Sequence, residues 1–159
     1  MNRTEYEKYM NAIASGKYKD APYDDPLYFD YTQLNTARYH RWIKKGELNT
    51  DLISIVKQTT FTNWTIITEP WCGDASHIVP FIALLSEVNQ SITVNFELRD
   101  AAPYRIDQYL TNGTSKSIPI VIFSDGVNER VWGPRPQSLT KCFDELKLEK
   151  ELTFDEIKI

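Results

Sequence analysis

Apolar side chains in the first 60 residues recur at helical spacing and predict three helices. Residues 20–30 interrupt them with two prolines and four aspartates, a composition typical of a loop. Gly46 is placed to end the second helix, and Asn49 to cap the third. The first two helices are predicted at 4–15 and 32–45. The second has an apolar face of Leu34, Ala37, Trp42 and Ile43, and the third one of Leu52, Ile55 and Val56.

From residue 62 the pattern changes and predicts the order β-α-β-α-β-β-α. Strict alternation over 92–98 indicates a half-buried strand near a sheet edge, whereas the continuous apolar run 118–123 indicates a central strand. The initial strand–helix–strand unit implies parallel pairing, and the closing hairpin adds an antiparallel strand. The sequence therefore predicts a mixed sheet with helices on both faces. The strands are predicted at 63–68, 92–98, 118–123 and 127–132, and the helices at 72–89, 104–111 and about 136–150.

The last predicted helix has one apolar stripe, made of Leu139, Cys142, Phe143 and Leu146. We expect this stripe to pack beside the sheet. A cysteine on such a stripe usually serves as a small core side chain. Cys142 is therefore expected in the core rather than as a second reactive thiol.

The length of 159 residues predicts a single domain, with residues 62–159 as its α/β part. Residues 1–61 form a helical extension that is rich in aromatic side chains. We expect the extension to pack on the core, and the alternative is an arm that joins two copies in a homodimer.

Charge and hydropathy exclude several classes of protein. Eighteen basic and 22 acidic residues give a net charge of −4 without a basic face, so nucleic acid is not an expected partner. No run of 18 apolar residues exists, so no membrane span is expected. Residues 1–19 are polar and lack the apolar centre of a secretory signal. The expected location is the cytoplasm.

The chain contains only two cysteines and two histidines. This count excludes a disulfide scaffold and a four-cysteine zinc site. We expect neither a metal nor a cofactor.

The segment from Glu69 to Ala75, EPWCGDA, places Cys72 where a predicted strand passes into a helix. The helix dipole and the free N–H groups at that point favour a thiolate. Glu69 and Asp74 are carboxylates that oppose it. The alternative is a cysteine that only caps or packs at the strand end.

The order and spacing of three short motifs resemble the thioredoxin family. These motifs are Trp71-Cys72-Gly73 at the strand–helix junction, Pro80 within the following helix, and Ser117-Ile118-Pro119 before the central strand. The resemblance covers about residues 60–150 and implies a thioredoxin-like α/β/α sandwich with an N-terminal helical extension. More narrowly, EPWCGDA, SIP and the segment 132–136 (WGPRP) resemble a bacterial single-cysteine subfamily.

The resemblance also implies roles for single residues. Cys72 corresponds to the attacking thiol, and Pro119 to a cis-proline that faces it. Ile118 would offer backbone hydrogen bonds to an extended substrate, and Gly133 would lie in a loop that borders the substrate groove. The implied substrate-binding set is Trp71, Gly73, Asp74, Ile118, Pro119, Trp132 and Gly133.

Two departures from the thioredoxin pattern bear on activity. A two-thiol reductase needs a second cysteine three residues after the first to resolve the mixed disulfide. Ala75 occupies that position, and Ile66 replaces the buried acid of the preceding strand. Cys72 alone would therefore start an exchange that an external thiol must complete.

Other polar residues near the motif have simpler interpretations. His77 is expected to be an ordinary helix histidine rather than the base of a Cys–His pair. Arg130 and Arg135 either form salt bridges with Glu129 or Asp125, or bind an anionic ligand such as a glutathione carboxylate. Asp74 either caps the helix or acts on a proton.

Two functions remain open from the sequence. The first is monothiol thiol–disulfide exchange through Cys72, with a protein or a small glutathione-like thiol as partner. The second is a non-catalytic module that binds a peptide or protein in the groove. Iron–sulfur ligation is disfavoured because the Cys-Gly-Phe-Ser segment of monothiol glutaredoxins is absent. No second catalytic cluster supports a peroxidase or a transferase.

Overall fold

The computed structural model describes residues 1–150, with side-chain environments through residue 146. Within these residues, five α-helices and four strands follow one another in the order α1-α2-α3-β1-α4-β2-β3-β4-α5, with a 3₁₀ turn between β2 and β3. None of the helices in the described part is long and apolar enough to cross a membrane. The helices are α1 Arg3–Ala14, α2 Pro26–Lys45, α3 Thr50–Lys57, α4 Gly73–Ser86 and α5 Gln137–Lys150, and the 3₁₀ turn is Arg105–Gln108. The strands are β1 Asn63–Thr68, β2 Thr93–Leu98, β3 Ile120–Ser124 and β4 Glu129–Trp132.

The four strands form one mixed sheet in the order β2-β1-β3-β4. The β1 and β2 strands are parallel, whereas β3 is antiparallel to both β1 and β4. The prediction of a mixed sheet with β2 at an edge and β3 inside is confirmed. Ile66 pairs with Phe96 on one side and with Val121 on the other, so these three side chains share one face.

Helices α1, α3 and α4 cover that face. Tyr6 of α1 stacks on Phe96 with ring centroids 4.6 Å apart. At the other end, Trp64 packs with Val56 of α3 and Leu85 of α4 in a small cluster. The α1 helix can lie there because Asn2 and Glu5 close a capping box that satisfies its first N–H groups.

The segment between β2 and β3 covers the opposite face of the sheet. Its Ile106 is fully buried, and Arg105 pairs with Glu97 and Glu129, which both point to that side. The helix predicted over 104–111 is wrong, because only one 3₁₀ turn forms there. Tyr104 before it has a left-handed backbone, and Asn112 and Gly113 after it also have positive φ, so little chain is left for a helix.

The α2 helix differs from the sequence prediction in its start and in its buried face. It begins within the predicted loop, since Asp25 caps it and Pro26 occupies its first position. Leu34 and Ala37, predicted to face inward, are exposed. The buried side chains of α2 are instead Thr32, Asn35, Thr36 and Tyr39, which pack where α2 meets α1 and α4.

Two other predicted apolar faces are corrected by the structure. In α3, Leu52 and Ile55 are exposed and only Val56 is buried. In α5, Leu139 and Cys142 are exposed. No described side chain of the helix belongs to the main hydrophobic cluster, which contains Ile66 and Phe96, or to the small cluster around Trp64. The expectation that α5 packs its stripe beside the sheet is therefore wrong. The division of the chain at residue 61 stays a prediction.

Candidate functional site

Cys72 lies between β1 and α4, at the cap position of the helix. The N–H of Cys72 donates to the carbonyl of Glu69 at 3.1 Å, and the carbonyl of Cys72 accepts from the N–H of Ser76 at 3.2 Å. The thiol is 8% exposed. Its Sγ donates to the carbonyl oxygen of Ile118 at 3.5 Å. The sulfur therefore sits between the start of α4 and the segment that leads into β3.

Burial is the main influence on the Cys72 thiol and raises its pKa to about 11. The N–H groups of Asp74 and Ala75 and the charge of Arg99 lower this pKa, whereas the carboxylate of Asp74 raises it. The sequence did not show whether the helix dipole or the carboxylates have the larger effect on the pKa of Cys72. Desolvation has a larger effect than either, so the resting side chain is a thiol rather than a thiolate.

The segment facing Cys72 is held by a close backbone contact. The Ile118–Pro119 peptide bond is cis. Gly133 has a φ of +129°, and a Cβ added to it would lie 2.2 Å from the carbonyl oxygen of Pro119. A side chain at position 133 would therefore push the loop after β4 away from Pro119.

Trp71 and the carbonyls around it are held by residues distant in sequence. The guanidinium of Arg99 lies 4.6 Å from the Trp71 ring centroid, and Tyr28 contacts the ring edge-on at 5.5 Å. Fully buried Asn35 donates from Nδ2 to the carbonyls of Trp71 at 2.8 Å and Pro70 at 3.3 Å. Sequence reasoning missed Asn35. The available signal was the helical spacing of Asn35 from Thr32 and Tyr39, which places all three on one face of α2. This spacing does not show which groups the Asn35 side chain contacts.

Glu69 is a second buried titratable group in the same loop, 4% exposed. Its Oε1 accepts from the N–H of Asp100 at 3.0 Å, and its Oε2 accepts from the hydroxyl of Tyr23 at 3.3 Å. Burial raises the pKa of Glu69 to about 7, although the Asp100 N–H favours the charged form. The sequence indicated only that Glu69 is a carboxylate that opposes the thiolate, and it gave no sign of this burial.

Asp74 and Arg135 join the first turn of α4 to the loop before α5. Asp74 Oδ2 and Arg135 Nη2 are 2.6 Å apart. Arg135 also lies over the ring of Phe143, 5.2 Å from its centroid. The salt-bridge interpretation of Arg135 therefore holds, but with Asp74 rather than with Glu129 or Asp125.

A groove of about 890 Å³ opens above Cys72, and we call it the thiol groove. The outer face of α2 forms one wall, α5 forms the other, and the start of α4 forms the floor. It is lined by Leu27, Tyr28, Tyr31, Leu34, Arg38, Trp71, Cys72, Gly73, Asp74, His77, Arg135, Leu139, Cys142, Phe143 and Leu146. Both cysteines of the chain thus line one groove, and the prediction of a core position for Cys142 is wrong.

The family profile described as Thioredoxin matches residues 21–147. The chain belongs to the thioredoxin family. A crystal structure of a protein of unknown function from Pseudomonas aeruginosa superposes with a TM-score of 0.55 at 19% identity. The match covers 76% of this chain and 74% of that one, and it supports the fold alone. No curated protein matches the chain.

Within this thioredoxin-family chain, most of the predicted site residues come together. Trp71, Cys72, Gly73 and Asp74 line the thiol groove, and Ile118 lines a smaller adjoining cavity of about 210 Å³. Trp132 packs against the main hydrophobic cluster and lines neither space. His77 is not paired with Cys72, because its Nδ1 accepts a hydrogen bond from Trp42 Nε1 at 3.0 Å.

Two buried hydrogen-bond donors remain free beside the sulfur. Trp71 Nε1 and Arg135 Nε have no partner among the described residues. Both residues line the thiol groove and the adjoining cavity. Buried donors without partners are rare in native proteins, and both of these belong to residues that line the site. Among residues 1–150, no three His, Cys, Asp or Glu side chains are grouped as a metal site would require.

Proposed function

We propose that this protein is a bacterial member of its family with a single cysteine in its EPWCGDA motif, and that it performs monothiol thiol–disulfide exchange in the cytoplasm. The observation that carries the proposal is the position of the Cys72 sulfur. It lies at the helix start, 3.5 Å from the Ile118 carbonyl, in the floor of a groove large enough for a partner. A partner disulfide that reaches the floor of the groove would meet this sulfur beside the Ile118 carbonyl.

The free donors support a partner with acceptor oxygens near its disulfide. Trp71 Nε1 and Arg135 Nε lack protein acceptors in the described structure. A peptide carbonyl or a carboxylate, as glutathione carries, would accept from them while its sulfur reaches Cys72. We therefore assign Trp71 and Arg135 to partner binding. Gly73 and Asp74 shape the same floor, and Ile118, Pro119 and Gly133 form the segment on the other side of the sulfur.

The raised pKa makes the exchange slow at neutral pH. With a pKa of about 11, about one Cys72 in ten thousand is a thiolate at pH 7. The thiolate attacks one sulfur of the partner disulfide and displaces the other as a thiol. Because Ala75 cannot supply a second thiol, the mixed disulfide persists within this site until another thiol attacks it.

The test measures mixed-disulfide formation with oxidised glutathione from pH 7 to 10. Cys142→Ser is used so that Cys72 alone can react, and Cys72→Ser serves as the matched control. We expect the rate at Cys72 to rise about tenfold per pH unit, following the thiolate fraction. Failure of folded Cys142→Ser to form any adduct at pH 10 would refute the exchange activity.

Binding without exchange is the second candidate, because Cys72 is buried and holds its proton. In that case the groove would hold an extended peptide by apolar contacts and backbone hydrogen bonds. A peptide selected from a random library against the reduced protein provides the probe. Equal affinity for Cys72→Ala, together with no adduct in the glutathione experiment, would favour this candidate over exchange.

A further inference from the structure

We propose that Cys142 is the second thiol of this protein and forms an intramolecular disulfide with Cys72. The inference rests on the proposed exchange at Cys72 and extends it. It assigns to α5 the role that the position of Ala75 cannot fill. The protein would then complete the oxidation of its own site pair without an external thiol.

The first observation is that the two cysteines share one groove. Cys72 lies in its floor and Cys142 in the wall that α5 forms. Cys142 is exposed, so solvent and a bound partner can both reach it. A structural core cysteine would instead be buried among apolar side chains, and none of the described side chains of α5 joins either core cluster.

The second observation is a chain of contacts from one cysteine to the other. Asp74, two residues after Cys72, is bound to Arg135 at 2.6 Å. Arg135 lies over the ring of Phe143, the neighbour of Cys142. Arg135 thus links the first turn of α4 to Phe143 of α5, and the apolar side chains Leu139, Phe143 and Leu146 line the groove.

The third observation concerns the freedom of α5 to approach. A disulfide needs its Cα atoms within about 4.4–6.8 Å, so one helix has to move toward the other. The Ser138–Cys142 stretch is exposed, and the helix follows the short loop that begins at Gly133. No described side chain of α5 belongs to the hydrophobic core, so an inward shift of α5 would leave the core intact. Leu139 and Phe143 line the groove opposite Leu34 of α2 and would approach it in such a shift.

The reaction needs no reactant other than the partner disulfide, which is the oxidant. The Cys72 thiolate attacks a disulfide RSSR, and one RS⁻ leaves and takes up a proton. The Cys142 thiolate then attacks Cys72 Sγ in the mixed disulfide, which breaks the bond to the partner and releases the second RS⁻. Two protein thiols are oxidised to one disulfide, and one partner disulfide is reduced to two thiols.

The experiment treats the full chain with oxidised glutathione at pH 9 and identifies the products by intact mass and peptide mapping. Wild type is compared with Cys142→Ser and with a double variant, Cys142→Ser with Lys141→Cys. The double variant keeps two thiols but moves the second one about 100° around the helix. Lys141 is exposed, so all three proteins are expected to fold.

We expect wild type to lose two hydrogens, to carry no glutathione and to contain a Cys72–Cys142 peptide link. Cys142→Ser should retain one glutathionyl group, on Cys72. The double variant should retain one on Cys72 and a second at position 141, with no peptide link between them. Wild type that keeps glutathione on Cys72, with Cys142 either free or itself glutathionylated, would overturn this inference and leave the proposed exchange standing. The inference would also be wrong if the wild-type link joined two chains, as a non-reducing gel would show. Absence of any modification at Cys72 in all three proteins would overturn both proposals.

Discussion

Glu69 is a buried carboxyl group whose protonation is linked to the stability of the fold. Its side chain is buried beside Tyr23 and the Asp100 N–H, and its pKa is raised to about 7 from an ordinary 4.5. Between these two values the folded protein holds a proton that the unfolded chain releases. Stability from this group is therefore full below about pH 4.5 and is lost as the pH rises through 7.

We expect Glu69→Gln to remove this pH dependence. The amide oxygen still accepts from Asp100, and no charge has to be buried at pH 8. Relative to wild type, the variant should gain about 3 kcal/mol in free energy of unfolding between pH 4.5 and pH 8. Urea unfolding at several pH values measures the change.

The control for this prediction is Glu47→Gln, because Glu47 is exposed and distant in sequence from the site. Its stability should run parallel to that of wild type across the same range. Parallel curves for Glu69→Gln and wild type would show that the Glu69 carboxyl is not desolvated as the structure indicates.

The α2 helix shows, at the scale of an element, how the site depends on residues outside the local motif. Its Asn35 satisfies the carbonyls of Pro70 and Trp71, and so fixes the backbone that leads into Cys72. Unsatisfied buried carbonyls cost about 1–3 kcal/mol. A small residue at position 35 should therefore destabilise the protein and loosen the loop that shields the thiol.

We expect Asn35→Ala to lower the free energy of unfolding by about 1–3 kcal/mol and to increase the rate of Cys72 alkylation in the Cys142→Ser background. The matched control is Gln33→Ala, two positions away on α2. Gln33 is exposed and donates only to the Ala14 carbonyl at 2.9 Å, so its loss should change stability by less than about 0.5 kcal/mol. Equal effects of the two substitutions would contradict the role of Asn35.

The strands were predictable from the sequence, but the faces of several helices were not. Alternation and β-branched composition located β1 to β4 within about two residues, because a strand pattern is local. The buried face of α2 is made of Thr32, Asn35 and Thr36, which no apolar period can reveal. Their burial depends on the tertiary contacts of α2 with α1, α4 and the loop before Cys72.

The same reasoning explains what could be predicted of the candidate site. Trp71, Cys72 and Asp74 are adjacent in sequence, so the motif alone predicted that they share a floor. The stripe of α5 was also visible, but an apolar stripe does not specify the surface that it meets. Here it faces α2 across the thiol groove, so Cys142 lies in the wall of the groove that has Cys72 in its floor, and not in the core.

The thiol groove is the feature of the whole molecule that sets its binding properties. Apolar side chains from α2 and α5 line it, and Leu34 and Leu139 are still 48% and 43% exposed. An apolar probe such as anilinonaphthalene sulfonate should therefore bind there. Its sulfonate would lie near Arg38 or Arg135.

We expect Leu34→Asp to weaken binding of this dye about tenfold, which corresponds to the loss of about 1.4 kcal/mol of apolar contact. Ile55→Asp is the control, because Ile55 is 64% exposed on α3 and lies outside the groove. Fluorescence titration of the three folded proteins gives the dissociation constants. A dye site elsewhere would show itself as equal binding by Leu34→Asp and wild type.

The placement of Trp71 has a practical consequence for following this chemistry. The indole is clamped between Tyr28 and Arg99 and precedes the reactive sulfur directly in sequence. We expect its fluorescence to change when the neighbouring thiol is oxidised, so that the reaction can be followed without an attached label. The other three tryptophans also fluoresce, and the Trp71→Phe variant would measure their contribution so that it can be subtracted. The intrinsic fluorescence of Trp71 would then serve as an optical signal for the proposed disulfide exchange at Cys72.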